Sequence, residues 1–379
     1  MNYDFLIVGQ GITGSIVALQ LKKKLKKFKL IEDGNPKTSS KVAAGIVHPI
    51  SLKRCNLSWR GREFYEFSDA FYKEINIESS VELYKPYKLL RIFASFEEQN
   101  NWIGKTNNEI YKNILKLNNK ELDNLQNKFG SGIVELCSRL SVNKFLDFVS
   151  SSFLKSSELK KDLFKTDDIK LKNNRFHYKG DIYSKVIMCD GVNALKNPMF
   201  NYLPIIPNKG ELLKVSSNIL PPQIINCGIF SLPETKNIFT IGSTYSNEDQ
   251  KNNITMDAKE YLMKKLNKII EIDGIEIIDQ KFGFRPTSLD RKPLIGEHPI
   301  IKNLFTVNGM GSKAILMAPL LVSELLNYIY QKKPLDSMVN INRFTNCPKS
   351  KKYFNGSDGL FFWNYYWNAS WSWSNDSYR

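Results

Sequence analysis

The sequence predicts an α/β protein built from one discontinuous domain and a second, β-rich domain inserted into it. Three observations predict this arrangement. The first 32 residues alternate strand, tight turn, helix and strand; residues 303–331 read as a strand followed by the last clear helix; and most segments between these two units are short strands. A chain of 379 residues is long enough for two domains.

The first α/β unit has strands over 3–9 and 28–32, joined by a turn at 10–14 and a helix over 15–27. Six lysines crowd residues 22–29, at the C-terminal end of this helix, where the exposed carbonyl groups favour cations. We therefore interpret the lysine cluster as a solvated helix end.

The remaining elements follow from apolar spacing, which recurs every three to four residues in helices and every two in strands. Helices are predicted over 60–75, 96–127, 141–157, 256–271 and 318–331. Strands are predicted over 162–171, 174–191, 209–217, 228–234, 237–245, near 274–284 and over 303–309. Residues 283–296 hold two prolines and two glycines and read as a loop.

Composition narrows the class of protein. Hydrophobic residues make up 42% of the chain and aromatic residues 12%, as in an ordinary globular protein. The five cysteines are scattered without a C-x-x-C pair, which favours neither a disulfide framework nor a zinc site. No signal peptide is recognisable and the apolar runs are shorter than a membrane span, so we expect a cytoplasmic protein.

The net charge of +16 has two interpretations. It is typical of proteins with a polyanionic partner such as nucleic acid, but the same excess arises when Lys, Asn, Ile, Phe and Tyr are all abundant, as an A/T-rich genome produces. The sequence contains no RRM, KH or zinc-finger signature, so we favour the compositional explanation.

Residues 9–14, "GQGITG", have the spacing of a dinucleotide-binding turn. Gly9 permits the tight turn, Gly11 lets a pyrophosphate approach the backbone, and Gly14 permits close packing of helix on strand. Glu32 ends the second strand, where an acidic side chain can bind a ribose hydroxyl. The combination predicts a dinucleotide site but does not choose between NAD and FAD.

Two further segments are rich in small residues. "SSKVAAGIVHPIS" (39–51) follows the strand that ends in Glu32, where the rest of a dinucleotide would run. "NGMGSKAILMAP" (308–319) follows a strand and opens the last helix, whose N-terminus can face an electron-rich ring edge.

With these motifs in place, the chain resembles the FAD-dependent oxidoreductases of the D-amino-acid oxidase, glycine oxidase and sarcosine oxidase family. The matched pieces are "IVGQGITG", "IE", "SSKVAAGI", "CDG", "GFRPTSLDRKPLIG" and "NGMGSKAILMAP", in family order from residue 4 to about residue 330. The resemblance implies a Rossmann-type FAD-binding domain (1–80, 140–205 and 281–345) and a substrate domain of antiparallel sheet plus helices (81–139 and 206–280). Residues 346–379 form an aromatic-rich tail, which docks on the body or on a partner or is disordered.

The resemblance also implies which residues hold non-covalent FAD, since no cysteine falls within 283–319 to attach it. The ADP and ribityl parts would contact Gly9, Gly11, Ile12, Thr13, Gly14, Glu32, Asp33, Ser39, Ser40, Lys41, Ala43, Ala44 and Gly45. Gly191 would lie near the adenosine, and Gly309, Met310, Gly311, Ser312, Lys313 and Ala314 along the flavin ring.

Three residues are candidates for catalysis. Arg285 lies between Phe284 and Pro286, and a guanidinium against apolar neighbours should face an anion. The resemblance makes that anion the substrate carboxylate; a salt bridge to Asp290 is the alternative. Tyr245 can close the substrate pocket or belong to the core, and His48 can line the active site or simply occupy a turn.

We therefore expect an oxidoreductase that transfers hydride from the carbon beside an amine to FAD, with an amino acid or N-substituted glycine as substrate. Within the family, "GQGITGS", "SSKVAAGIVHPI", "GSTYSNED" and "GMGSKAILMAPL" are similar to the FAD domain of the bifunctional enzyme that modifies the tRNA wobble uridine, which makes tRNA the alternative partner. The methyltransferase half of that enzyme is absent here. A non-catalytic flavin-binding protein is the second alternative. Oligomeric state and electron acceptor stay open.

Overall fold

The computed structural model describes residues 1–36, 38–120 and 125–345. The aromatic-rich tail predicted for 346–379 lies outside the described residues. The described part of the chain contains two large β-sheets, flanked by helices, and one small two-stranded sheet.

Seven α-helices occur in the described residues. They are α1 (Ile12–Lys23), α2 (Ser39–Val42), α3 (Gly61–Glu78), α4 (Phe96–Thr106), α5 (Val142–Lys155), α6 (Met256–Leu266) and α7 (Ala314–Gln331).

Nineteen strands occur in the same residues. They are β1 (Asn2–Val8), β2 (Phe28–Glu32), β3 (Ile46–Val47), β4 (Ile50–Ser51), β5 (Asn56–Leu57), β6 (Tyr84–Ile92), β7 (Leu115–Leu117), β8 (Ser131–Leu140), β9 (Leu159–Lys161), β10 (Lys170–Lys172), β11 (Arg175–Tyr178), β12 (Asp181–Met188), β13 (Ile205–Ser217), β14 (Ile224–Asn226), β15 (Phe230–Pro233), β16 (Ile238–Gly242), β17 (Ile275–Ser288), β18 (Leu294–Glu297) and β19 (Leu304–Asn308).

The first sheet has the order β10-β11-β12-β1-β2-β9, with β19 beside the second half of β12 and β18 beside β19. Strands β9, β2, β1, β12 and β19 are parallel, so their carboxyl ends meet at one edge. In a sheet of this kind the ligand site lies at that edge. Parallel strands are buried on both faces, which explains the continuous apolar run Phe5–Val8 of β1.

Helices α1, α3, α5 and α7 pack together over this sheet in one apolar core. The segment Gly311–Gln331 is long and apolar enough to cross a membrane, but 56% of its most apolar window is buried inside the protein. Leu321, Val322, Leu325 and Leu326 are fully buried in the core that α7 shares with α1 and α3. We therefore interpret α7 as a core helix of the first domain.

The second sheet has the order β17-β13-β16-β15-β14-β6-β8-β3 and is antiparallel apart from the β14–β6 pair. Helix α6 covers one face, where Leu262 and Leu266 pack in a core with Leu213 and Val215 of β13. The other face, which carries Gly210 and Leu212 of the same strand, borders the large cavity described below. The chain passes from the first sheet to the second and back twice, which confirms the predicted discontinuous α/β fold.

Several predicted elements are wrong in detail. The helix predicted over 96–127 ends at Thr106, and a 3-10 turn (Glu109–Tyr111) and strand β7 follow it. The strand predicted over 162–171 is replaced by β9 and β10, separated by a loop. Residues 283–296 are not a loop throughout, because β17 continues to Ser288 and β18 begins at Leu294. Pro286 fits within β17 because this strand lies at the sheet edge. The boundary proposed at residue 281 falls inside β17, and the domain division itself stays a prediction.

Candidate active site

A single cavity of about 1190 Å³ runs along the carboxyl edge of the first sheet and onto the second sheet. Ligand pockets for drug-sized molecules occupy roughly 300–1,000 Å³, so this cavity has room for an extended ligand. Its lining joins the two halves of the molecule: the turn after β1 lies on one side, and the end of β17 lies on the other.

In the glycine-rich turn after β1, the backbone itself forms part of the cavity wall. Gly9 has a φ of +94°, and a Cβ there would lie 2.6 Å from the carbonyl oxygen of Cys189. A Cβ on Gly14 would lie 1.8 Å from the carbonyl oxygen of Gly9, so α1 can start here only if residue 14 lacks a side chain. Gly11, Ile12 and Thr13 at the N-terminus of α1 line the cavity, an arrangement that suits the phosphates of a dinucleotide.

Glu32 lies where β2 ends and is mostly buried, with 11% of its side chain exposed. One carboxylate oxygen accepts a hydrogen bond from the backbone N–H of Gln10 at 2.8 Å, and the other lies 3.7 Å from Nζ of Lys41. This position leaves the carboxylate in the cavity lining beside Asp33. Across from them the loop between β9 and β10 contributes Phe164 and Thr166.

The segment of small residues at 39–45 lies against the same turn. Ser40 Oγ accepts a hydrogen bond from the N–H of Ile12 at 3.0 Å, and a Cβ on Gly11 would approach that hydroxyl to 3.0 Å. Gly45 has a φ of +86°, and a Cβ there would lie 1.9 Å from the carbonyl oxygen of Leu140. Small side chains thus keep the backbone of this segment at the cavity wall.

The segment 309–314 forms the wall between the two sheets, and Asn308 fixes it in place. Asn308 Nδ2 donates to the carbonyl oxygen of Gly191 at 2.9 Å, while Asn308 Oδ1 accepts from the N–H of Gly309 at 2.9 Å. Asp190 accepts from Asn197 Nδ2 at 2.9 Å, and burial raises the pKa of its carboxyl to about 6. Asn308 therefore links Gly191 to the segment 309–314, although the sequence analysis treated the two separately.

Most of the predicted site residues line this one cavity. They are Gly9, Gly11, Ile12, Thr13, Glu32, Asp33, Ser39, Ser40, Ala43, Ala44, Gly45, His48, Gly191, Tyr245, Arg285, Gly309, Met310, Gly311, Ser312, Lys313 and Ala314. Gly14 and Lys41 are outside the lining. Gly14 packs behind the turn, and Lys41 donates to the carbonyl oxygen of Asn35 at 2.7 Å.

Arg285 projects from β17 and is held by neutral groups. Its Nη1 donates to Asn208 Oδ1 at 2.9 Å and to the carbonyl oxygen of Thr244 at 3.2 Å, and its Nη2 donates to Ser243 Oγ at 2.7 Å. The Tyr245 ring stacks on the guanidinium at 4.3 Å, and Gly210 leaves space for it, since a Cβ there would lie 2.2 Å from Nη2.

These contacts use three of the five guanidinium N–H groups. Nε–H and one hydrogen on Nη2 stay available, and no carboxylate of the described residues lies within 4.0 Å of Arg285. Burial lowers the pKa of Arg285 below its usual value, although a guanidinium still keeps its charge. The site thus presents an uncompensated cation to the cavity.

The salt bridge between Arg285 and Asp290, the alternative drawn from the sequence, does not form. Asp290 instead pairs with Arg343, whose Nε lies 2.8 Å from Oδ2. The turn after Ser288 directs Asp290 toward the 3-10 turn Ile341–Phe344, away from the cavity. Separation by only five residues in sequence was therefore a misleading guide to contact.

His48 and Lys313 lie in the cavity wall near each other. Nδ1 of His48 is buried, and it has no hydrogen-bond partner within the described part of the chain. Burial, and then the charge of Lys313, lower the pKa of His48 to about 3, so this imidazole is neutral at physiological pH. Lys313 Nζ donates to Ser58 Oγ and to the carbonyl oxygen of Ile50, and burial lowers its pKa to about 8.

Sequence reasoning missed several residues of this site. Asn208, Gly210 and Leu212 alternate along β13, and Gly210 and Leu212 line the cavity together with Ser243 and Phe230. The alternation of side chains along β13 indicates which residues share one face of the strand. The sequence does not tell which of the two faces contacts a ligand.

The comparisons with known proteins agree with this geometry. The FAD dependent oxidoreductase family matches residues 4–134 and 164–327. Glycine oxidase from Pseudomonas putida is 27% identical over 120 residues, which cover 31% of this chain and only 33% of that enzyme.

Two solved structures share the fold over nearly their whole length. Glycine oxidase from Geobacillus kaustophilus superposes with a TM-score of 0.74 and 19% identity, covering 88% of this chain and 96% of that one. Iminodiacetate oxidase from Chelativorans sp. BNC1 superposes with a TM-score of 0.75 and 16% identity, covering 88% and 98%. Because the family match covers most of the chain, this protein belongs to the FAD dependent oxidoreductase family.

Proposed function

We propose that this protein oxidises the C–N bond of an amino acid or N-substituted glycine, using non-covalent FAD. The observation that carries the proposal is Arg285, a partly buried cation without a carboxylate partner among the described residues, facing the cavity that also holds the dinucleotide turn. The names of the structural neighbours, glycine oxidase and iminodiacetate oxidase, support an amine beside a carboxylate as the substrate unit.

The residues present fit FAD along the cavity. The amides at the start of α1 would bind the pyrophosphate, Glu32 would bind the adenosine ribose, and the segment 309–314 would lie along the ring. When bound, FAD would supply the two-electron oxidation of the C–N bond, as the acceptor of hydride. The protein itself must bind the substrate, orient it and keep water away from the reacting atoms.

Arg285 orients the substrate by donating hydrogen bonds from its free Nε–H and Nη2–H groups to the substrate carboxylate. Two parallel hydrogen bonds fix both position and angle, which a single ammonium cannot do. Asn208, Ser243 and the carbonyl of Thr244 hold the guanidinium in place, and Tyr245 covers its face. Since 65% of Tyr245 is exposed, this ring forms part of the pocket entrance and not of the core.

His48 would contribute as a neutral group. With a pKa of about 3 it is a poor proton acceptor, and its Nδ1 is buried within the described part of the chain, away from the cavity. We therefore assign His48 a role in shaping the cavity wall and not the role of general base.

The experiment combines a substrate screen with Arg285→Lys. Purified protein carrying FAD is mixed anaerobically with N-methylglycine, glycine and longer N-alkylglycines, and loss of the visible absorption of oxidised flavin is followed. Lysine keeps the charge but loses the two-pronged geometry, so the rate of reduction should fall about 100-fold or more at equal FAD content.

Asp290→Asn is the matched control, because Asp290 pairs with Arg343 and should leave reduction unchanged. Equal rates for Arg285→Lys and the wild type would contradict the assignment of Arg285. A protein that binds FAD but is reduced by no amine would instead be the non-catalytic flavin-binding protein.

A second candidate substrate is tRNA carrying a carboxymethylaminomethyl group on the wobble uridine. It contains the same unit of amine and carboxylate, so Arg285 does not discriminate between the two substrates. The observation that favours it is the cationic lining at the substrate end of the cavity, which includes Lys53 and Lys265. Hypomodified tRNA therefore belongs in the same screen.

A further inference from the structure

The acidic side chains of the cavity lining are confined to one end of the cavity, which they share with Lys165 and Lys196. All its acidic residues lie at the carboxyl edge of the first sheet or in the loop after β9: Glu32, Asp33, Asp162, Asp167 and Asp190. Among the described residues, the part of the lining that begins at Ile46 and continues over the second sheet, α6 and the segment 309–314 holds no acidic side chain. It holds five cationic ones: Lys53, Arg91, Lys265, Arg285 and Lys313.

Three of these five cations are already accounted for. Arg91 is paired with Glu98 at 2.7 Å, Lys313 donates to Ser58 and Ile50 in the cavity wall, and Arg285 is assigned to the substrate carboxylate. Lys53 is exposed, while Lys265 is only partly exposed. Within the described ranges, Lys265 has no carboxylate within 4.0 Å.

An apolar floor connects Arg285 to Lys265. Leu212 and Phe230 converge over Gly242, where an added Cβ would lie 2.1 Å from Leu212 and 3.0 Å from Phe230. The cavity continues from this floor past the turn between β14 and β15. Gly228 in that turn has a φ of +78°, and a Cβ there would meet nothing within 4 Å, so the path is open.

Helix α6 contributes Tyr261 and Lys265 to the cavity lining beyond this floor. Tyr261 and Lys265 are four residues apart, so they share one face of the helix, and Lys265 Nζ lies 5.6 Å from the centre of the Tyr261 ring. The adjoining face, with Leu262 and Leu266, is buried against the second sheet. Packing of that buried face therefore fixes the position of the Tyr261–Lys265 pair at the cavity mouth.

We propose that Lys265 and Tyr261 form an outer subsite for a second anionic group, carried at the far end of the substituent on the substrate nitrogen. This inference rests on the proposed function, with Arg285 binding the first carboxylate. The substrate class is then an N-substituted glycine with an apolar linker that ends in an anion, either a carboxylate or a phosphate. The linker would lie on Leu212 and Phe230, and the anion would bind the ammonium of Lys265.

The test compares N-alkylglycines of equal chain length that end in a carboxylate, a phosphonate or a methyl group. In the wild type, compounds ending in an anion should reduce the flavin with a kcat/KM at least tenfold above that of the methyl-ended compound. The advantage should shrink at high salt, because the mouth is open to solvent. The carboxylate and phosphonate compounds distinguish the two sources of negative charge.

Lys265→Met should remove this tenfold preference for compounds that end in an anion. Lys264→Met is the matched control, because Lys264 is the adjacent residue, is exposed and lies outside the cavity lining. The proposal is overturned if methyl-ended compounds react as well as anionic ones in the wild type, or if the two lysine variants behave alike.

Binding without turnover separates this proposal from the proposed function. Linear dicarboxylates and monocarboxylates of equal length are titrated into the protein carrying FAD, with the flavin spectrum as the readout. Tighter binding of dicarboxylates that is lost in Lys265→Met supports the subsite even if no amine reduces the flavin. Equal affinities would contradict it, as would reduction by hypomodified tRNA alone.

Discussion

At the scale of single residues, a charged side chain in this cavity is available to a ligand when the fold provides no partner of opposite charge. Glu32 and Arg285 are both mostly buried, but Glu32 accepts a hydrogen bond from Gln10 and lies near Lys41, whereas Arg285 has only neutral partners among the described residues. An unpaired buried charge costs free energy, so its presence indicates a ligand of opposite charge.

Glu32 carries a prediction of its own. If its carboxylate binds the adenosine ribose, Glu32→Ala should weaken FAD binding by about 1–3 kcal/mol, the cost of leaving hydrogen-bonding groups unpaired. Titration of the apoprotein with FAD measures this change.

Lys41→Met is the control for Glu32. Lys41 was predicted to bind the cofactor, but its ammonium lies outside the cavity lining and contacts Asn35 and Glu32. Its replacement should therefore change FAD affinity much less. Equal losses in the two variants would show that Glu32 acts by holding its neighbours and not by contacting FAD.

At the scale of elements, the start of α1 depends on the absence of two side chains. Helix α1 begins immediately after Gly11 and packs against the turn that Gly9 makes with its positive φ. Propensity alone would favour alanine over glycine inside a helix by about 1 kcal/mol. Close approach of the turn to the helix reverses that preference at position 14.

Gly14→Ala should therefore destabilise the protein by more than about 2 kcal/mol, since the new Cβ would lie 1.8 Å from the Gly9 carbonyl oxygen. Denaturant unfolding measures the loss of stability. Gly104→Ala in α4 is the matched control, because a Cβ there meets nothing within 4 Å; this change should be neutral or stabilising by up to about 1 kcal/mol. Similar effects at both positions would contradict the steric explanation.

At the scale of the whole molecule, stability should depend on acid through His298. Its Nδ1 accepts hydrogen bonds from the N–H groups of Ile300 and Ile301 at 3.2 and 2.9 Å, which a protonated imidazole cannot do. Burial is the main cause that lowers the pKa of His298 from 6.5 to about 4. Protonation therefore favours the unfolded chain.

The sign follows from the lowered pKa: the contribution of His298 is fully present above pH 6.5 and is lost as the pH falls from 6.5 through about 4. The loss amounts to about 3 kcal/mol. His298→Asn keeps an acceptor near the Nδ1 position but does not titrate, so its unfolding free energy should fall less between pH 7 and pH 4. His177→Asn on β11, where the side chain is partly exposed, is the control; an acid response like that of His298→Asn would contradict the assignment.

The sequence by itself determined the elements whose signal is local. The dinucleotide turn was predicted from "GQGITG" between a strand and a helix, with Glu32 ending the next strand. The prediction was possible because the steric reason for each glycine lies largely within this short segment. The family resemblance and the α/β fold followed from such segments in order, and both are confirmed.

Only the tertiary structure decided which distant residues meet. Asn208, Ser243 and Tyr245 surround Arg285 because β17, β13 and β16 are neighbours, whereas Asp290, closer in sequence, turns toward Arg343. Lys265 reaches the cavity mouth because α6 packs its apolar face on the second sheet. Strand pairing and burial bring together groups that are tens of residues apart, and no local pattern records which face of an element they will share.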